Sequence, residues 1–173
     1  MALVKLVKVF EGKMSKISLS IKIDAPIERV FDLSRSIDLH TVTQNKHGEK
    51  PVSGTTSGLI NLGQDVTWEA KHLGVRQRLT SKITAYEDPT FFVDEMVKGA
   101  FKRFQHQHFF EEKEGKTCMT DVFDFTSPLG IIGKIANKIF LTNYMKKFLI
   151  TRNQIIKEYA ESNKWKEILD FRP

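Results

Sequence analysis

The chain has 173 residues, 40% of them hydrophobic and 28% charged, with 13 Phe. That length and composition suit one domain able to bury a core without metal or disulfide help, and exclude the disordered and fibrous classes. The net charge of +6 would favour acidic partners, but Lys and Arg are spread from Lys5 to Arg172 with no run of five or more and no RNA-binding aromatic motif, so no nucleic-acid partner is expected.

Residues 1–13, MALVKLVKVFEGK, alternate apolar and basic character without a signal-peptide core or cleavage site. They read as an N-terminal extension of unclear role: an added segment, an extra edge strand, or residues upstream of a start at Met14. The domain proper is placed at 14–173. Ile17, Leu19, Ile21 and Ile23 alternate with Ser18, Ser20 and Lys22, the period of a strand with one buried face. Pro26 then opens a short helix with Ile27, Val30 and Phe31 at helical spacing, and Ser36 caps a second through about His40. Gly48, Pro51, Gly54, Gly58 and Gly63 mark a loop stretch with room for one short strand.

From Gln64 to Thr126 the sequence predicts five consecutive antiparallel strands, with turns at Leu73-Gly74, Glu87-Asp88-Pro89, Gly99-Ala100 and Lys113-Glu114-Gly115. Ser127-Pro128 supplies a cap and a first-turn proline for a long C-terminal helix of about 30 residues. Its apolar positions are Ile132, Ile135, Ile139, Met145, Phe148, Ile155 and Tyr159. Lys134, Lys138, Lys146 and Lys147 interrupt the most apolar segment, so no transmembrane segment is expected. Cys118 is the single cysteine, which removes disulfide and zinc-finger readings and fits a cytoplasmic location.

Opposite residues of an antiparallel pair share a face, so the turns assign the faces. A turn centred on Leu73-Gly74 sets Trp68 opposite Leu79, with Val66, Ala70 and Ile83 alongside and Glu69 opposite Arg78 on the other face. A turn centred on Gly99-Ala100 puts Phe91, Val93, Glu95 and Val97 with Phe104, His106 and His108. The last hairpin adds Phe110, Met119, Asp121, Phe123 and Phe125. Asp94, Gln105, Gln107, Asp124, Glu69 and Cys118 are then expected on the outer face. An inner face so rich in Phe and Met can line a cavity as well as fill a core.

The segments IKIDAPIERVFDL, VTWEAKHLGVRQRLTSKITAYEDPTFFVDEMVKG and FDFTSPLGIIGKIANKIF, in this order and spacing, resemble the SRPBCC/START helix-grip superfamily over nearly everything after Met14. The nearest likeness is to its bacterial polyketide cyclase/dehydrase and lipid-transport branch. The resemblance implies an α+β helix-grip fold: a curved antiparallel sheet of about six or seven strands around a long C-terminal helix, with two short helices after the first strand. It also implies an apolar cavity between sheet and helix, used by relatives to carry lipids or hormones or to cyclise and dehydrate polyketides. No shared catalytic motif comes with it.

The expected function is binding of an apolar small molecule or lipid. The expected lining is Trp68, Leu79, Phe91, Val93, Glu95, Phe104, His106, Phe110, Met119 and Phe123. The alternatives are a cyclase/dehydratase-like enzyme with His108 and Asp121 as its proton-transfer pair, and a protein-interaction module using the basic exterior. His108 falls opposite Asp121, and an Asp-oriented imidazole is a sound general base. His-x-His with a nearby carboxylate also matches a metal triad in composition, but sequence does not show convergence, and no metal or other cofactor is expected. His40, His47 and His72 are expected to face water, and Asn143 and Arg152 to be within reach of a ligand head group. Nothing in the sequence fixes an oligomeric state.

Overall fold

The structure is a computed structural model and describes residues 5–7, 15–43, 48–72, 75–126 and 134–169. Its elements are β1 (Lys5–Val7), β2 (Ser15–Ile23), α1 (Ile27–Ser34), α2 (Ile37–Thr43), β3 (Lys50–Gly54), β4 (Asp65–His72), β5 (Val75–Glu87), β6 (Phe91–Lys98), β7 (Arg103–Lys113), β8 (Lys116–Thr126), α3 (Lys134–Ala160) and α4 (Trp165–Leu169). The strands form one antiparallel sheet in the order β1-β2-β8-β7-β6-β5-β4-β3. This is the helix-grip arrangement, with β1 as an eighth, edge strand paired to Ser18–Ser20 of β2. Residues 1–4 and 8–14 lie outside the described residues, as do the Leu73-Gly74 turn and the Ser127-Pro128 cap.

Local chemistry accounts for the elements that close the sheet. Ser36 Oγ accepts the Leu39 backbone N–H at 3.2 Å and so caps α2. The β7–β8 hairpin turns at Glu114 and Gly115, both with positive φ (57° and 70°), the two-residue geometry whose twist matches its flanking strands. On α3 the buried residues are Met145, Leu149, Arg152, Asn153, Ile156 and Ala160, a helical stripe facing α1, α2 and β2. Of the apolar positions expected on that helix, Met145 is buried and Phe148, Ile155 and Tyr159 are half-buried. Ile132 and the side chains of Ile135 and Ile139 lie outside the described residues.

Two apolar clusters hold the sheet to the helices. One gathers Phe31, Trp68, Phe92, Phe110, Met119 and Ile156, with Phe31 edge-on to Tyr86, Phe92 and Phe110 at centroid distances of 5.3–5.6 Å. The other gathers Leu19, Phe104, Phe123, Phe125, Met145 and Leu149.

The register expected for β4–β5 and β7–β8 is the observed one: Trp68 pairs Leu79, Glu69 pairs Arg78, and His108 pairs Asp121. Trp68, Phe104 and Phe123 are buried, while Gln105 and Asp124 on the outer face are half-buried. Glu69, expected exposed, is buried on that outer face beside Arg76 and Arg78, with Arg78 Nε donating to its carboxylate at 3.0 Å.

Strand β6 differs from expectation. Asp94 pairs His106 and Glu95 pairs Gln105, one residue away from the register that a two-residue Gly99-Ala100 turn would impose. The connection instead runs through Gly99–Lys102, and shifts of pairing near Thr84 in β5 and Val97 in β6 bend the two strands. A one-residue slip turns every side chain of a strand over. Phe92, Asp94 and Met96 therefore face inward. Phe91, Val93, Glu95 and Val97 belong to the other face, where Phe91 packs on Phe109, Val93 is opposite Gln107 and Glu95 accepts from Gln105.

Candidate functional site

Between the concave face of the sheet, α1–α2 and α3 lies a cavity of about 430 Å³. Its walls are mainly apolar, with Trp68, Leu79, Phe104, Phe123, Phe148 and Leu149 among the lining residues. The volume is within the usual range of small-molecule pockets.

Of the residues expected to line such a cavity, Trp68, Leu79, Phe104, His106 and Phe123 do, and so does His108. Phe110 and Met119 face inward but are packed into the core instead; the Met119 sulfur receives the Ser34 hydroxyl at 3.4 Å. Phe91, Val93 and Glu95 are on the opposite face and do not line it. His40, expected to face water, lies over the Trp68 ring with centroids 4.2 Å apart and reaches the cavity. Arg152 is buried and lines it, whereas Asn143 is exposed. His47 and the side chain of His72 lie outside the described residues.

One wall carries a polar cluster built from three adjacent strands and α3. Asp94 (β6) is opposite His106 (β7), and His108 (β7) is opposite Asp121 (β8), so the four form a square on the concave face. His108 Nδ1 lies 2.7 Å and His106 Nε2 3.2 Å from the same oxygen, Asp121 Oδ1. On the other side, His108 Nε2 lies 3.1 Å and His106 Nδ1 3.9 Å from Asp94 Oδ2. The two approaches to Asp121 are close but off the hydrogen-bonding axis: His106 Nε2, His108 Nδ1 and Asp121 Oδ1 are buried without an aligned partner.

A chain of hydrogen bonds anchors this square to the helices. Arg152 donates to the Ser34 carbonyl at 2.9 Å and to Asn153 Oδ1 at 3.2 Å, and Asn153 Nδ2 donates to Asp121 Oδ2 at 2.5 Å. Asn153 is a member that the sequence reading missed. The signal was its position four residues after Leu149 and three before Ile156, which puts an amide on the apolar stripe. Asp94 was missed through the β6 register.

The charges follow from these contacts. Burial alone would raise the Asp121 carboxyl, but His106 and His108 outweigh it and hold it well below the ordinary range. Asp94 is likewise lowered: His108, His106 and Arg152 overcome its burial. The His106 imidazole is pushed down, by burial first and by the neighbouring His108 charge second, so it resists protonation.

The sheet, the helix it grips and the cavity between them define a helix-grip fold. No protein-family model matches the chain, and no curated protein matches it. Solved structures share the fold. Protein TTHA0849 from Thermus thermophilus superposes with a TM-score of 0.69 at 15% identity, over 84% of this chain and 96% of that one. The ginseng major latex-like protein 151 from Panax ginseng gives 0.62 at 16% identity, over 87% and 100%. Ara h 8.0201 gives 0.61 at 13% identity, over 85% and 97%. The likeness is one of architecture, the one that the SRPBCC/START resemblance implied.

Proposed function

We propose that the protein binds an apolar small molecule or lipid in this cavity, with the polar end of the ligand against the Asp94–His106–His108 wall. The observation that carries the reading is the cavity itself: about 430 Å³ of space inside a fold whose other inward positions are filled by Phe, Ile and Met. Close-packed interiors leave few voids larger than a water, so retained space of this size supports a use in binding. Among the described residues no helix is long and apolar enough to cross a membrane. The lone cysteine fits a reducing cytoplasm as the place of action.

A cyclase/dehydratase-like activity is the second reading, favoured by imidazoles in the cavity wall. His106 and Asp94 are better placed for it than the His108–Asp121 pair, because Asp121 is fully buried behind the histidines.

The test is native mass spectrometry of protein purified from its own host, joined to titration with a naphthalene-sulfonate probe. Binding predicts a co-purifying apolar molecule near one per chain, or a single probe site that quenches Trp68. Failure of both would overturn the reading.

A further inference from the structure

We propose that Asp94, His106 and His108 form a two-histidine, one-carboxylate site for a divalent first-row transition-metal ion in the cavity wall, with Asp121 as the buried carboxylate that orients both imidazoles. One ligand atom from each of the three residues lies within 4.8 Å of the others. Two ligand atoms on a tetrahedral ion with bonds of about 2.1 Å are about 3.4 Å apart. The separations of 3.1 Å from His108 Nε2 and 3.9 Å from His106 Nδ1 to Asp94 Oδ2 bracket that value.

The hydrogen count calls for one added positive charge among these groups, which either a proton on His108 or a metal ion on the Asp94 side supplies. A neutral imidazole has one N–H and one lone pair. With each N–H turned to Asp121 Oδ1, the lone pairs of His106 Nδ1 and His108 Nε2 converge on the Asp94 carboxylate, acceptor against acceptor. The His108 Nε2 contact with Asp94 at 3.1 Å is aligned for a hydrogen bond, but placing the one N–H there leaves a bare Nδ1 2.7 Å from the buried Asp121 Oδ1. Protonating both rings would set two cations side by side with centroids 3.9 Å apart. A metal ion on the Asp94 side removes the conflict without extra protons. It leaves His106 Nε2 and His108 Nδ1 3.2 Å and 2.7 Å from one outer carboxylate oxygen, near enough for a small ring rotation to give the usual support for metal-bound histidine.

That carboxylate is itself held by Asn153. Imidazole with carboxylate suits zinc, iron, cobalt, nickel or copper over magnesium or calcium. Three protein ligands leave a coordination position open, and all three residues line the cavity, so a ligand oxygen or water can complete the shell. The site does not depend on what the cavity holds, and it is tested with metal alone.

The full-length protein, stripped with chelator and free of added ligand, is titrated with Co²⁺ and then with Zn²⁺. One equivalent of Co²⁺ per chain should give a visible d–d spectrum that one equivalent of Zn²⁺ erases. Asp94→Asn and His106→Gln should abolish that spectrum. Asp121→Asn should weaken binding about 10- to 100-fold without abolishing it. A control that replaces His47 and His72 together should bind as the wild type does. Histidine side-chain ¹⁵N spectra of the unaltered protein give a readout independent of variant folding, because Zn²⁺ should shift His106 Nδ1 and His108 Nε2. Absence of stoichiometric binding, or binding that shifts neither nitrogen, or loss of binding in the control alone, overturns the proposal.

Discussion

Asn153 Nδ2 on α3 lies 2.5 Å from Asp121 Oδ2 on β8, and with Arg152 Nη1 3.7 Å from Asp121 Oδ1 it ties the buried carboxylate of the sheet to the helix it grips. Asp121 has no solvent exposure, so an oxygen left without its donor keeps its desolvation cost. Asn153→Leu should therefore lower stability by about 1 to 3 kcal/mol, the range for an orphaned buried polar group. Urea unfolding gives the number. A variant as stable as the wild type would show that the contact is dispensable.

The pairing of His108 with Asp121 should be strongly non-additive. Removing one member of a buried charged pair costs about 3 to 5 kcal/mol, whereas exchanging both for apolar groups of similar size is often near neutral. Asp121→Leu alone should destabilise severely, and the double change with His108→Leu should recover part of the loss. A double-mutant cycle measures it. Simple addition of the two losses would mean that the histidine and the carboxylate do not interact.

Truncations should separate cavity from core. Phe110 is packed edge-on against Phe31 and does not line the cavity, so Phe110→Ala should cost about 3 to 5 kcal/mol. Phe104 already borders open space and should lose less on the same change. Thermal melts of the two variants side by side decide it, and equal losses would favour a filled interior.

Filling the space should act on binding more than on stability. Ala70 lines the cavity from β4, and Ala70→Leu adds apolar volume where there is room for it. The expected result is a change in stability within about 1.5 kcal/mol together with loss of the naphthalene-sulfonate site. Full retention of probe binding would place the bound molecule elsewhere.

Two glycines permit close approaches of different kinds. A Cβ on Gly54, at φ 75°, would stand 2.3 Å from the Asp65 backbone carbonyl oxygen, which cannot yield. A Cβ on Gly99 would stand 2.4 Å from Leu79 Cδ1, the end of a side chain that borders the cavity. Gly54→Ala should lower the melting temperature more than Gly99→Ala, and the reverse order would contradict the rigid contact at Gly54.

The sequence by itself determined the order of elements from β2 to α3 and the faces of β2, β4, β5, β7 and β8, but not the edge strand β1 or the short helix α4. There, alternation is clean and short turns such as Glu114-Gly115 fix which residues stand opposite one another. His106, His108 and Asp121 were legible together for that reason. Strand β6 was not, because FFVDEMVK offers comparable faces: Phe91, Val93 and Glu95 on one, Phe92, Asp94 and Met96 on the other. Each carries apolar residues and one acid, so composition does not choose between them, and the choice fell to the length of the Gly99–Lys102 connection and the bend near Thr84. The arrival of Asn153 and Arg152 over the sheet was likewise a tertiary decision. Periodicity shows that they share a stripe with Leu149 and Ile156, but only the docking of α3 against β2, α1 and α2 sets them over Asp121 and beside Ser34.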